Sequence, residues 1–202
     1  MADRQGLLLV LVDPAPERRE ELNAWYDTEH LPERRELPGF LSAQRFEAVG
    51  QGPLYAALYD LEDLSALDSA GYRAVSGENF SPWTRRVTRI SPTTRIVAEQ
   101  IHPGGAVIGP CSHLLLLLLR FGAGAAGRAG RIEGALRAHF ARHANARIRL
   151  FQADEPAPGS LVVTVEFSGA EAPDLPHSAI FGAEGEGMEL MALYRPYKSA
   201  DT

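Results

Sequence analysis

GLLLVLV, Gly6–Val12, is an apolar run too short for a helix and without the alternation of a half-buried strand. Such a run predicts a central strand covered on both faces. LLLLLLRF, Leu114–Phe121, repeats it about 107 residues later. After the first run come Asp13-Pro14 and a charged, helix-favouring segment from Pro16 to Leu31. After the second come a Gly/Ala stretch and a helical segment from Arg128 to His143. A strand pair follows each helix: Phe40 to Ala48 with Pro53 to Leu61, and Arg147 to Ala153 with Ser160 to Phe167. The first half then has a helical region from about Leu64 to Thr88 and closes with TTRIVAEQI. The second has a shorter, Gly/Pro-rich equivalent before MELMALYRP.

Each half therefore reads strand, helix, strand, strand, helix, strand, the order of the ferredoxin-like split βαβ unit. That unit is an α+β sheet with helices on one face and nothing on the other. Two units in one chain bury their bare faces on each other, so the expected fold is a tandem pair packed sheet to sheet, an intrachain α+β barrel. The units would span residues 1–103 and 111–202, joined at the Pro/Gly-rich HPGGAVIGP, His102–Pro110. Strand edges left at the margins leave a homodimer open.

The composition, 45% hydrophobic and 23% charged, is that of a globular protein with a full core. The net charge of −6 is spread along the chain, and no Arg/Lys cluster is interleaved with aromatics, so a nucleic-acid partner is not expected. MADRQG is unlike a targeting peptide and no apolar run approaches a membrane span, which predicts a cytoplasmic protein off the membrane. Cys111 has no second cysteine to pair with and reads as structural.

The chemistry concentrates in Leu22–Phe40, LNAWYDTEHLPERRELPGF. At helical spacing Leu22, Trp25, Tyr26 and His30 form one stripe, with Glu29 beside it. If the helix stops before Pro32, its carbonyl end favours a protonated imidazole at His30. With Asp27 three residues back, His30 would then titrate near neutrality and serve as general acid or base. Tyr26 is placed to donate to a developing oxyanion, and Arg34 or Arg35 to hold an acidic group. The alternative is that His30 bonds a backbone carbonyl and stops the helix, with Trp25 and Tyr26 as core.

NAWYDTEHLPERRELPGFLSAQRF resembles the signature of the EthD-like branch of the dimeric α+β barrel superfamily, through its Trp-Tyr pair, its Glu-His-x-Pro element and its Pro-Gly-Phe turn. The resemblance implies a pocket between sheet and helices with His30 pointing into it. It also implies a small hydrophobic or aromatic ligand, because the superfamily includes cofactor-free monooxygenases, lactone isomerases, polyketide cyclases and haem enzymes. The second half, GALRAHFARHANARIRLF, lacks Glu-His-x-Pro, which predicts one functional pocket per chain.

Other signals are weaker. His139 and His143 have the i, i+4 spacing of two metal ligands but no third ligand in view, so no metal is expected. His102 and His113 flank the linker and are placed to meet. The glycines of FGAGAAGRAG, Phe121–Gly130, lack the lysine and spacing of a phosphate loop and read as a flexible connection. Tyr55 and Tyr59 share one face of their strand, facing either a pocket or the barrel interface. Trp83 lies in the connection before the closing strand, as a lid or as packing.

The leading expectation is an enzyme doing cofactor-independent acid/base chemistry next to a carbonyl on a hydrophobic or aromatic metabolite. His30 would move the proton and Tyr26 and Asp27 would assist. Trp25, Arg34, Phe40, Tyr55, Tyr59 and Trp83 would shape the substrate pocket. The competing expectations are a non-catalytic ligand-binding protein and, further off, a haem protein.

Overall fold

A computed structural model describes residues 4–121, 124–143 and 145–198. Eight strands, β1 (Gly6–Val12), β2 (Gln44–Ala48), β3 (Tyr55–Leu61), β4 (Thr93–His102), β5 (His113–Arg120), β6 (Arg147–Glu155), β7 (Ser160–Phe167) and β8 (Met188–Pro196), form a closed antiparallel barrel. Around it they run β1-β3-β2-β8-β5-β7-β6-β4. The first four strands thus lie side by side as β4-β1-β3-β2 and the last four as β8-β5-β7-β6. The joins are β2 to β8 and β4 to β6. The sheet edges expected to be open to a second chain are therefore consumed by closure, which is how barrels dispose of unpaired backbone groups.

The two apolar runs become β1 and β5 because each is covered on both faces. Leu7, Leu9 and Leu11 point into the barrel with Leu114 and Leu116, against Phe46, Leu58, Phe151 and Val162. Leu8 and Val12 point outward to the first-half helices, and Leu115, Leu117 and Leu119 outward to the second-half helix. Period-two geometry assigns the faces.

The helical segments depart more from expectation. From Pro16 to Arg35 the chain is helical throughout: a 3-10 turn at Pro16–Arg18, α1 at Arg19–Trp25, a π turn at Tyr26–His30 and α2 at Leu31–Arg35. The helical region expected over about Leu64 to Thr88 is divided into a 3-10 turn (Leu64–Asp68), α3 (Ala70–Ala74), a second 3-10 turn (Gly77–Asn79) and α4 (Pro82–Ile90). The last break is local chemistry, since Ser81 caps the Thr84 N–H and Pro82 occupies the first turn of α4. In the second half α5 (Ala125–His139) begins three residues earlier than expected and takes in Gly127 and Gly130. Those two glycines are therefore helical and not part of a flexible connection, while Gly122 and Ala123 of that stretch lie outside the described residues. Phe40 precedes β2 as an isolated bridge to Leu61, after a Pro38-Gly39 turn. Gly39 has φ 84°, and a Cβ there would stand 2.8 Å from that of Ala66, so the turn requires glycine twice over.

The segment expected as a joint is packed instead. Ile108 is buried in the barrel core, its N–H bonded to Asp60 Oδ2 at 2.7 Å. Arg149 joins Asp60 (2.6 Å) and Glu166 (2.8 Å), all three at most 2% exposed, and also donates to Ala106 O at 3.1 Å. Gln100 bonds Ala106 through both its amide ends, and Gly109 N–H reaches Glu166. A buried charge network with strands from both halves thus stitches residues 104–109 into one end of the barrel.

Candidate functional site

Pro32 has no N–H and its ring clashes with the carbonyl four residues back, so an α-helix should end there. It does not end, because the π turn accommodates one extra residue and the Leu31 N–H bonds Tyr26 O, five residues earlier. His30 accordingly sits inside a continuous helix and not at a helix end. No terminal carbonyls are therefore at hand to favour a protonated imidazole, contrary to the expectation of a helix end at His30.

The bulge gathers aromatic rings. His30 stacks on Trp25 (centroids 4.2 Å apart, 26° between planes) and meets Tyr26 edge-on at 5.4 Å and Tyr59 at 6.3 Å. Its Nδ1 is sealed from solvent with no hydrogen-bond partner. Burial, then Arg34, then Arg45 lower its pKa from 6.5 to about 3. The ring is neutral throughout the physiological range, which corrects the expected titration near neutrality. Asp27 is not among the residues lining the cavity and lies 3.9 Å from Arg45. Glu29 is turned the other way: burial would raise its pKa, but hydrogen bonds from Ser81, Thr84 and Trp25 outweigh that and lower it.

Arg45, on β2, is buried between the rings of Tyr26, Tyr55 and Tyr197 at 4.1, 4.5 and 4.3 Å. Cation–π contact in a dry site is worth on the order of 2 kcal/mol. Arg45 also donates to Asn23 Oδ1 at 2.8 Å. Tyr55 is thus spent on holding Arg45 and does not line the cavity. Burial raises the pKa of Tyr26 and of Tyr59, so both phenols stay protonated.

A cavity of about 120 Å³ lies on the outer face of the barrel, between β1, the bulged helix and α4. Leu8, Val10 and Val12 form its floor, Leu22, Trp25, Tyr26 and His30 one wall, and Thr84, Val87, Thr88 and Ser91 of α4 and its cap the other. Arg34 and Tyr59 stand at the Leu8 end, since Tyr59 pairs with Leu8 in the sheet, and Arg95 and Thr93 face Val10 and Val12. Arg34 is buried, bonded to Glu33 and to Val75 O at 3.1 Å each.

Of the residues singled out from sequence, His30, Tyr26, Trp25, Arg34 and Tyr59 are brought together at this cavity. Phe40 is a step behind, packed on Tyr59 and Tyr72, and Trp83 is half-buried beside the same cluster, so neither lines the space. Sequence reasoning missed Tyr72, Phe80 and the α4 face. The signal for that face was the helical spacing of Thr84, Val87, Thr88 and Ser91 after the Ser81-Pro82 cap, hidden by reading one undivided helical region.

The histidines outside the site have other partners. His139 meets Asp174 O at 3.2 Å and His143 packs on Phe140 and Phe167. His102 contacts Glu133 at 3.1 Å, whereas His113 contacts Ser112. No group of three or more His, Cys, Asp or Glu able to hold a metal ion occurs among the described residues. None of the described helices is long and apolar enough to cross a membrane. Burial and then Glu166 raise the Cys111 thiol to about 11, so it stays protonated and unreactive.

No protein-family model matches the chain, and no curated protein does. Solved structures do match. An anthrone oxidase-like protein aligns over 97% of this chain and 92% of its own at 12% identity, TM-score 0.61. Chlorite dismutase from Candidatus Nitrospira defluvii aligns over 100% and 94% at 8% identity, TM-score 0.60. A heme-binding protein from Thermus thermophilus aligns over 98% and 92% at 13% identity, TM-score 0.54. Identities this low carry the fold and not the activity. The chain has the architecture of the dimeric α+β barrels, with all eight strands of the barrel supplied by one polypeptide.

Proposed function

We propose that this protein is a small-molecule enzyme that moves a proton next to a carbonyl on a slender aromatic substrate without a cofactor, with His30 as the base. The reaction class is isomerisation, cyclisation, dehydration or bond cleavage at that position. The observation that carries the reading is the neutral His30 ring, with an unpartnered Nδ1, at an apolar cavity beside Arg34. A neutral imidazole is ready to accept a proton. The guanidinium charges that make a lone imidazolium unfavourable also stabilise an enolate forming beside it, and the enolate in turn stabilises the imidazolium once the proton has moved. Tyr26, protonated and buried, is the donor for the developing oxyanion, with the Tyr59 hydroxyl donating to it from behind. Trp25 supplies the stacking wall for the imidazole.

The size of the cavity supports a single ring. A dry cavity of about 150 Å³ takes up benzene, and the space here is of that order. The cavity beside His30 is too small for haem, which the name of the Thermus protein invokes. Sites for drug-sized molecules run to about 300–1,000 Å³. The corresponding space under α5 is filled by Leu115, Leu117, Ile132, Leu136, Phe140 and Phe181.

The identical strand order of the two halves, and their matching spacing in sequence, support tandem ferredoxin-like units at 1–103 and 111–202. The bulged Trp-Tyr-x-x-x-His helix supports a place in the EthD-like branch. The test is exchange of the benzylic protons of para-hydroxyphenylacetone in D2O, followed by NMR. The wild type should accelerate exchange on the order of 100-fold or more over buffer, and His30→Ala should lose that acceleration. Exchange at the wild-type rate in a folded His30→Ala variant would remove His30 from the mechanism.

A further inference from the structure

Two polar side-chain atoms on the wall of this one cavity, His30 Nδ1 and the Ser91 hydroxyl, are buried without a hydrogen-bond partner, while the buried Tyr59 hydroxyl is bonded to Tyr26. Buried polar groups are normally satisfied, so two orphans around one space mark a place where a ligand supplies the missing partners. They are not together. Tyr59 pairs with Leu8 across the sheet, and His30 meets Tyr59. Ser91 caps the far end of α4, its N–H bonded to Val87 O, two residues before Thr93, which pairs with Val12. α4 runs antiparallel to the bulged helix, since Glu29 meets Ser81 while Glu21 meets Arg86. The orphans thus stand at opposite ends of a slot floored by Leu8, Val10 and Val12.

From the geometry of a strand, Leu8 and Val12 are about 13 Å apart. Allowing about 2.8 Å for a hydrogen bond at each end leaves about 7–8 Å between the ligand's terminal polar atoms. That is the span of one benzene ring with an oxygen on one side and a short carbonyl arm para to it. The volume and the length therefore agree on a one-ring body. The two ends also differ in charge preference. Arg34 and Arg45 make the His30 end attractive to a developing anion. Ser91, only 1% exposed, closes the C-terminus of α4, where carbonyl oxygens disfavour an anion and favour a neutral hydroxyl.

We infer that the slot reads its ligand at both ends, and that Ser91 is the specificity residue for a neutral para-hydroxyl on an aryl carbonyl compound whose reacting end lies at His30. This rests on the reading of the His30 end as the reacting end. A phenol is neutral at pH 7 and both donates and accepts, as the serine hydroxyl does.

The test compares para-hydroxyphenylacetone with its shape-matched para-methyl analogue on the full chain and on Ser91→Ala, reading dissociation constants by calorimetry and benzylic exchange by NMR. The hydroxyl probe should bind on the order of tenfold more tightly than the methyl analogue. Ser91→Ala should abolish that preference while binding the methyl analogue as the wild type does, which also certifies its fold. Equal affinity of the two probes, a preference that survives in Ser91→Ala, or no binding of either probe overturns the two-ended slot. His30-dependent exchange of the methyl analogue without a hydroxyl preference sinks this inference alone. A Ser91-dependent preference without any exchange sinks the proton-transfer reading, and with it the reacting end, and leaves Ser91 as the reader of a hydroxyl in a binding slot.

Discussion

His30 owes its state to burial first, then to Arg34 one helical turn on, and then to Arg45, far from it in sequence. Trp25 and Tyr26 are neighbours on the same helix, but Arg45 arrives from β2 and Tyr59 from β3. A base whose pKa is about 3 remains in its active, unprotonated form as pH falls through the usual histidine range. The acid limb of kcat/KM for para-hydroxyphenylacetone exchange should therefore lie below about pH 4, and a limb centred at 6–7 would show that the free enzyme carries an ordinary histidine. The stripe Leu22, Trp25, Tyr26, His30 was legible in the sequence because helical spacing places residues on faces. The charge on His30 was not, because helical spacing says nothing about how deeply the fold buries the ring or which further cation a β-strand adds to Arg34. Asp27 illustrates the same limit: proximity in sequence put it beside the imidazole, and the fold gave it to Arg45.

At the scale of elements the informative feature is the bulge. A 3.6-residue reading ends the helix before Pro32, whereas the π turn carries the helix on to Arg35 with one inserted residue. Deleting Thr28, which is exposed and bonded to Ala24 O, removes that insertion and restores α-helical register. Each residue of register turns a side chain by about 100°, so His30 should leave the cavity while the flanking faces keep theirs. The expected outcome is a folded protein by circular dichroism that has lost catalysed exchange, and retained exchange would divorce the bulge from the site. Strands were read more faithfully than helices, β7 and β8 to the residue. Their faces are enforced along their whole length by the barrel core and the helices, while the helical connections are cut by local events such as the Ser81 cap.

For the whole molecule, closure depends on groups that no periodic pattern announces. Arg149, Asp60, Glu166 and Gln100 are polar residues on strands that read as apolar, and they fasten the 104–109 segment into the barrel. Arg149→Leu would strand two buried carboxylates, at a cost of about 3–5 kcal/mol. Urea unfolding should show that loss as a lower midpoint, and a variant within about 1 kcal/mol of wild type, as is common for surface substitutions, would mean that the network is dispensable. The barrel could be foreseen from the repeated order of elements, but its fastening joins residues as far apart as Asp60 and Arg149, beyond the reach of any local pattern. A barrel assembled from two identical chains receives every substitution twice, once on each outer face. Here all eight strands come from one polypeptide, so a change at Ser91 or His30 enters once, and the face beneath α5 is free to be inherited as scaffold while the other is retuned for a new ligand.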